Sequence, residues 1–452
     1  MKSGKTKLES NDIDRGWAWL IVAAVFVYHM LSYGLAWSAG VYYAILIEAF
    51  PHQPKVMVAW AGSLPTFGLY AAGPFSAMLT NKFGCRPILM LGGMMSGFGM
   101  MASYFAPNIY VLYATFGIIT GLGIGLSYIP AITALTLYFQ KYRNIATGIA
   151  VSGAGFGCFI FPPLINTLSD MYSWRESMLI IGAIVLNIVV CGCVVRPISS
   201  FHINQEEKPK VIDFSPLRKK GYLILSVNVV MLSFGLSIVY LHLTAYSEAC
   251  GYTDNKSAML MSSIGAANLC GRFALGATAN HPRVNVIVLY AVSNIISGVA
   301  SICFAFSGSS YIALVFLAVV FGFFTACFGA LLPPILVELL GIRRFSNGYG
   351  CLLIFMAIGQ LMGGPFAGFL YDTTGTYEVS FFIAGGTLII AGLAMKLIGC
   401  WGKKTFDDGI PDYQVAFIEN GEKVKLDYYD ICTICEAGVI NFLILRRIFS
   451  IL

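Results

Sequence analysis

Charge is what this sequence has least of. Lys, Arg, Asp and Glu make up 11% of its 452 residues, 58% are apolar, and mean hydropathy is +0.77. A water-soluble domain carries about 25% charged residues, so a soluble enzyme is excluded. Signatures of nucleotide and metal chemistry are missing too. Gly4-Lys5-Thr6 is only the tail of a phosphate-binding loop, and no HExxH or GxSxG occurs. The triplets Gly121-x-Gly123-x-Gly125 and Gly153-x-Gly155-x-Gly157 fall inside apolar runs, where small residues let helices approach closely. Twelve cysteines are scattered without framework spacing and read as packing residues. No cofactor and no metal is implied. The net charge of +6 is not gathered into a basic face of the kind that binds nucleic acid.

What is present in abundance is uninterrupted apolar chain. A membrane-crossing helix needs about 20 such residues, because every backbone polar group in hydrocarbon must be paired internally. Stretches free of charge cover residues 16–47, 56–81, 87–140, 144–169, 177–195, 221–247, 257–280 (broken only by Arg272), 284–337, 345–371 and 379–395. Two of these are long enough for two crossings each. They carry breakers where a turn is needed, at Ala106-Pro107-Asn108 and at Ser307-Gly308-Ser309-Ser310. The fold class expected is an all-α membrane protein of twelve transmembrane helices in two six-helix halves. Its parts are an N-terminus (1–15), a first half (16–195), a polar central loop (196–220), a second half (221–401) and a tail (402–452). Such a repeat points to a transporter with its site between the halves at mid-membrane depth.

Alternate loops set the orientation. Seventeen basic residues lie on one side of the predicted crossings and three on the other, namely Lys55, Arg175 and Lys256. Positive residues stay inside, so both termini and the central loop are expected in the cytoplasm. No secretory signal is read before the first helix. The one glycosylation sequon, Asn255-Lys256-Ser257, falls in a short outer loop. In the tail, the apolar stretch 437–445 is too short to span a bilayer, and Cys432 and Cys435 are candidate acylation sites on an interfacial segment.

Four segments resemble the monocarboxylate transporter family. They are Asp14-Arg15-Gly16-Trp17-Ala18-Trp19, the stretch from Tyr138-Phe139-Gln140-Lys141-Tyr142-Arg143 to Gly157, Ser173-Trp174-Arg175 with Arg196-Pro197, and Gly364-Pro365-Phe366-Ala367-Gly368 with Asp372, Gly375 and Tyr377. Asn81-Lys82-Phe83-Gly84-Cys85-Arg86 is similar to the general loop motif of the major facilitator class, with Asn81 in place of an aspartate. The resemblance runs from about residue 14 to 401 and implies the major facilitator fold, a plasma-membrane carrier and small carboxylated solutes. For some members it also implies a single-span immunoglobulin-like glycoprotein as chaperone. Lys82, Arg86, Lys141 and Arg143 at helix ends, together with Asp372, are the expected gating and topology residues.

Arg272 is the outlier among the charges. A guanidinium in mid-helix costs a few kcal/mol or more and stays protonated. No acidic residue occupies the cores of the other helices, so the expected partner is a solute carboxylate held by parallel N–H···O contacts. Snorkelling to the inner boundary is the competing reading. The resemblance supports the first, because the family has an arginine here that binds the substrate carboxylate. Proton-coupled lactate carriers also have an aspartate one turn earlier and a lysine in helix one. Here these positions hold Asn268 and Trp37, neither of which titrates near neutrality. Obligatory proton coupling is therefore not expected. Trp37, Tyr33 and Tyr128 are candidate contacts for a bulkier or cationic solute, or else packing residues. His242 is a candidate pore residue, and it and His29 are the membrane-embedded histidines that could relay a proton. Expected substrate-binding residues are thus Arg272, Asn268, Tyr33, Trp37, Tyr128 and His242. The alternatives are a proton-coupled lactate/pyruvate-type symporter, a non-transporting sensor or scaffold on a transporter fold, and a channel.

Overall fold

The computed structural model describes residues 15–139, 143–196, 219–279, 284–340, 342–406, 415–419 and 422–426. Among the described residues, eleven helices are long and apolar enough to cross a membrane, from Trp17–Ala49 to Glu378–Met395. The sequence run 56–81 forms two shorter helices, Lys55–Ala71 and Gly73–Phe83, meeting at Ala72. Ala72 keeps helical dihedrals (φ −69°, ψ −13°), so this remaining expected crossing is bent and not broken. Pro74 follows at once and has no N–H to continue the ladder.

Both expected turns are where the breakers lie. Asn108 caps the helix after the first, its side-chain oxygen accepting from Val111 N at 3.1 Å. Ser310 caps the helix after the second, accepting from Ala313 N at 3.4 Å. These caps satisfy backbone donors that hydrocarbon would leave unpaired.

The glycine triplets are packing seams. A side chain at Gly157 would come within 2.9 Å of Gly34 Cα on the first span, and one at Gly121 within 2.8 Å of the Pro65 carbonyl. Neither position tolerates a larger residue without moving a backbone. These seams draw the first span against Arg143–Met171, and Lys55–Ala71 against Gly121–Tyr138.

Residues 1–400 form one compact unit and 401–452 a second. In the second, Val415–Glu419 and Glu422–Leu426 pair antiparallel, with Val415 opposite Leu426 and Glu419 opposite Glu422. The sequence reading assigned no strand here. The intervening Asn420-Gly421 is a strong hairpin signal that the apolar pattern overshadowed. The proposed acylation sites Cys432 and Cys435 lie outside the described residues, as does most of the central loop.

Candidate substrate site

Arg272 sits about two turns before the end of the helix Asp254–Ala279 and is half-buried. Its Nε–H donates to Asn268 Oδ1 at 2.9 Å, and a terminal N–H reaches the Val151 carbonyl at 3.5 Å. The guanidinium carbon lies 5.7 Å from the Trp37 ring centroid. Gly329 gives it room, since a side chain there would come within 3.0 Å of its terminal nitrogen. The head group is thus tucked among helices and not extended along its own helix toward an end. Among the described residues, no Asp or Glu forms an ion pair with it. Two of its five N–H groups are engaged, and among the described residues the other three have no partner.

Asn268 is buried, with both ends of its amide engaged. It accepts from Arg272 and donates through Nδ2 to the Gly322 carbonyl at 3.2 Å. Its place is behind the guanidinium as a support, although its surface still touches the cavity beside it.

That cavity is lined by Trp37, Tyr70, Ser233, Tyr240, Asn268, Thr325 and Gln360, with Leu232, Leu236, Phe328 and Met356 supplying apolar wall. Arg272 is not itself a lining residue and adjoins the cavity through Asn268 and Trp37. Trp37 has a packed ring. Tyr240 stacks on it at 5.3 Å and 28°, and Tyr33 meets it edge-on at 5.1 Å. His29, Tyr33 and Trp37, spaced four apart, form a ring ladder on one helix face. Tyr128 packs on Tyr33 at 6.3 Å, and its hydroxyl lies 3.4 Å from that of Tyr349. Tyr33 and Tyr128 therefore buttress the site without lining the cavity, so of the proposed aromatic contacts only Trp37 reaches it.

His242 is not brought to this cavity. It is fully buried near the other end of the bundle. Its Nε2–H donates to the Gly364 carbonyl at 2.9 Å, and Tyr43 and Tyr377 pack on its ring at 4.6 and 5.7 Å. Beside it lies a second constellation. Both oxygens of Asp372 accept from the first backbone N–H groups of the helix Lys55–Ala71, at 3.0 Å each, from Lys55 and Val56. The Lys55 ammonium donates to Tyr377 Oη at 2.9 Å and stands 3.4 Å over the Tyr371 ring. Burial pushes the Tyr377 phenol well above its ordinary range, so it remains a neutral acceptor for Lys55. Asp372 thus latches two helices more than 300 residues apart in sequence (|i−j| 317). Asn166 Nδ2 bridges to Asn255 Oδ1 at 3.0 Å in a further cross-link.

Other candidates divide. Lys82 and Arg86 are exposed, the former 5.2 Å from the Phe83 ring. Lys141 lies outside the described residues, and so does the side chain of Arg143, which opens the helix Arg143–Met171. The sequon residue Ser257 is fully buried, and Asn255 is held by Asn166. Sequence reasoning missed Tyr70, Ser233, Thr325, Phe328 and Gln360 of the cavity and the latch role of Lys55. Gln360 is an amide within the apolar stretch 351–370, but the pattern alone does not say which way it faces.

The fold and the half-buried cation beside a cavity point to a class. The sequence profile of the Major Facilitator Superfamily matches residues 23–292 and 283–405, so the molecule is a multi-pass membrane transporter and not an enzyme. The fold also matches a bacterial homolog to the human lysosomal transporter Spinster, in an inward-facing and occupied conformation, with a TM-score of 0.70 over 87% of this chain and 99% of that one. At 16% identity that likeness concerns the fold alone. Monocarboxylate transporter 3 of Gallus gallus is 31% identical over 438 residues, covering 87% of this chain and 80% of the relative. Monocarboxylate transporter 13 of Rattus norvegicus is 32% identical over 382 residues (83% and 87%), and monocarboxylate transporter 12 of Xenopus laevis 29% identical over 424 (88% and 92%). The chain belongs to the monocarboxylate transporter family.

Proposed function

We propose that the protein is a plasma-membrane carrier that moves small carboxylated organic solutes by alternating access, without obligatory proton coupling. The observation that carries this reading is Arg272, a charge within a membrane span with three donors unpartnered and no acidic residue paired with it among the described residues, and a cavity alongside. A carboxylate taking two of those donors gains a bidentate contact in a medium where it is strongest. Relatives named monocarboxylate transporters support the solute class. Among the described residues no Asp, Glu or His lines the cavity, which supports weak proton coupling.

Seventeen basic residues against three support cytoplasmic termini. On that orientation the Asp372 latch lies at the outer mouth. Lys55 on Tyr371 and Tyr377, and the close approach of Gly368 to Val56, join the halves 16–195 and 221–401 at the same place. The test is an uptake screen of radiolabelled carboxylates in oocytes, with and without a pH gradient. Accumulation of at least one small carboxylate, changed little by the gradient, is expected. Strong stimulation by external acid would instead point to His29 and His242, each with one unpartnered ring nitrogen. Surface expression without flux of any carboxylate would overturn the carrier reading.

A further inference from the structure

Gln360 is a polar group of the cavity wall, which also carries Trp37, Tyr70 and Tyr240. It is 5% exposed, lines the cavity on the helix Ile342–Thr374, and its carboxamide has no hydrogen-bond partner among the described residues. Nearby polar side chains spend donors elsewhere. Ser233 Oγ donates to Val229 O at 2.7 Å, Thr325 Oγ1 to Gly322 O at 3.1 Å, and Asn268 uses both ends of its amide. Leu236, Phe328 and Met356 offer Gln360 nothing to bond. An amide on such a wall gains from a hydrogen-bonding group that enters the cavity.

We propose that Gln360 is a specificity-determining residue that reads an uncharged hydrogen-bonding group on the solute. The idea rests on the anion reading of Arg272 and deepens it. The carboxylate takes the guanidinium beyond Asn268, and a hydroxyl, keto or amide group further along the solute takes Gln360. An amide presents one acceptor and two donors, so it accommodates each of these groups but neutralises no charge. No Asp or Glu lines the cavity among the described residues. A solute ammonium would therefore be uncompensated beside Arg272, which disfavours amino acids relative to hydroxy acids.

The experiment measures uptake of four-, five- and six-carbon ω-hydroxy acids against unsubstituted and ω-amino acids of the same length, with surface protein quantified by biotinylation. The wild type should prefer the hydroxy acid at one of these lengths. Gln360→Met keeps the volume and removes the amide, and should lower the hydroxy-to-unsubstituted uptake ratio about tenfold at that length. Gln360→Glu supplies the missing countercharge and should raise the amino-to-hydroxy ratio. Ratios unchanged in both variants would overturn the role of Gln360. Arg272→Gln, run on the same acids, separates the two readings. Its loss of all uptake alongside unchanged Gln360 ratios sinks this inference alone, whereas uptake that survives Arg272→Gln sinks the anion reading. A wild type that carries none of these acids overturns both.

Discussion

Removing the Asp372 carboxylate should release the latch on the helix Lys55–Ala71. In the structure its two oxygens each accept a backbone N–H at 3.0 Å at that helix's N-terminus, where the helix dipole also favours a negative charge. Loss of such a cap costs about 1–2 kcal/mol, and exposure of Asp372 to solvent keeps the value at that modest level. In a two-state equilibrium this is about a fivefold to thirtyfold shift toward the conformation in which the latch is parted. Spin labels at Gln53→Cys and Thr376→Cys, in a cysteine-free background in nanodiscs, bracket the latch from both sides. Double electron–electron resonance should show a longer-distance population growing in Asp372→Ala and, to a smaller extent, in Asp372→Asn, which retains one acceptor oxygen. An unchanged distance distribution in Asp372→Ala would refute the latch.

Three further outcomes follow from the same geometry. Asn268→Asp places a carboxylate where an oxygen already lies 2.9 Å from Arg272 Nε; the resulting pair should cut uptake at neutral pH by tenfold or more, and acid should restore it by protonating the new group, a pH dependence read from uptake profiles. Gly157→Val inserts a branched side chain where even a Cβ would approach Gly34 Cα to 2.9 Å; surface expression and thermal stability in detergent should both fall, consistent with about 1–3 kcal/mol or more of overpacking. Because the sequon's Ser257 is fully buried in the first turns of the helix Asp254–Ala279, treatment with a glycosidase should leave the electrophoretic mobility of the protein unchanged.

The crossings were legible because hydrocarbon enforces a length and forbids charge, and both constraints are written in composition. The turns at Pro107 and Ser307–Ser310 were legible for the same reason. The bend at Ala72 was not, since an apolar run carries no mark of a change in helix direction beyond Gly73-Pro74. Arg272 announced itself as a charge in an apolar run. Gln360 and Tyr70 did not, because an amide or phenol in a membrane helix can face a neighbour or a cavity, and only helix rotation decides which. Asp372 was visible as a motif residue, but its partner is backbone at Lys55 and Val56, a helix end that no side-chain pattern encodes. Trp37 illustrates the opposite limit. Its position in helix one suggested a platform for the solute, whereas packing with Tyr33 and Tyr240 gives it a structural share of the work.

The most direct measurement of the central claim is uptake of a transported carboxylate by Arg272→Ala at matched surface density. A carrier whose anion is held by that guanidinium should lose transport altogether, while the variant still reaches the membrane. Uptake at the affinity of the unmodified protein would contradict the account.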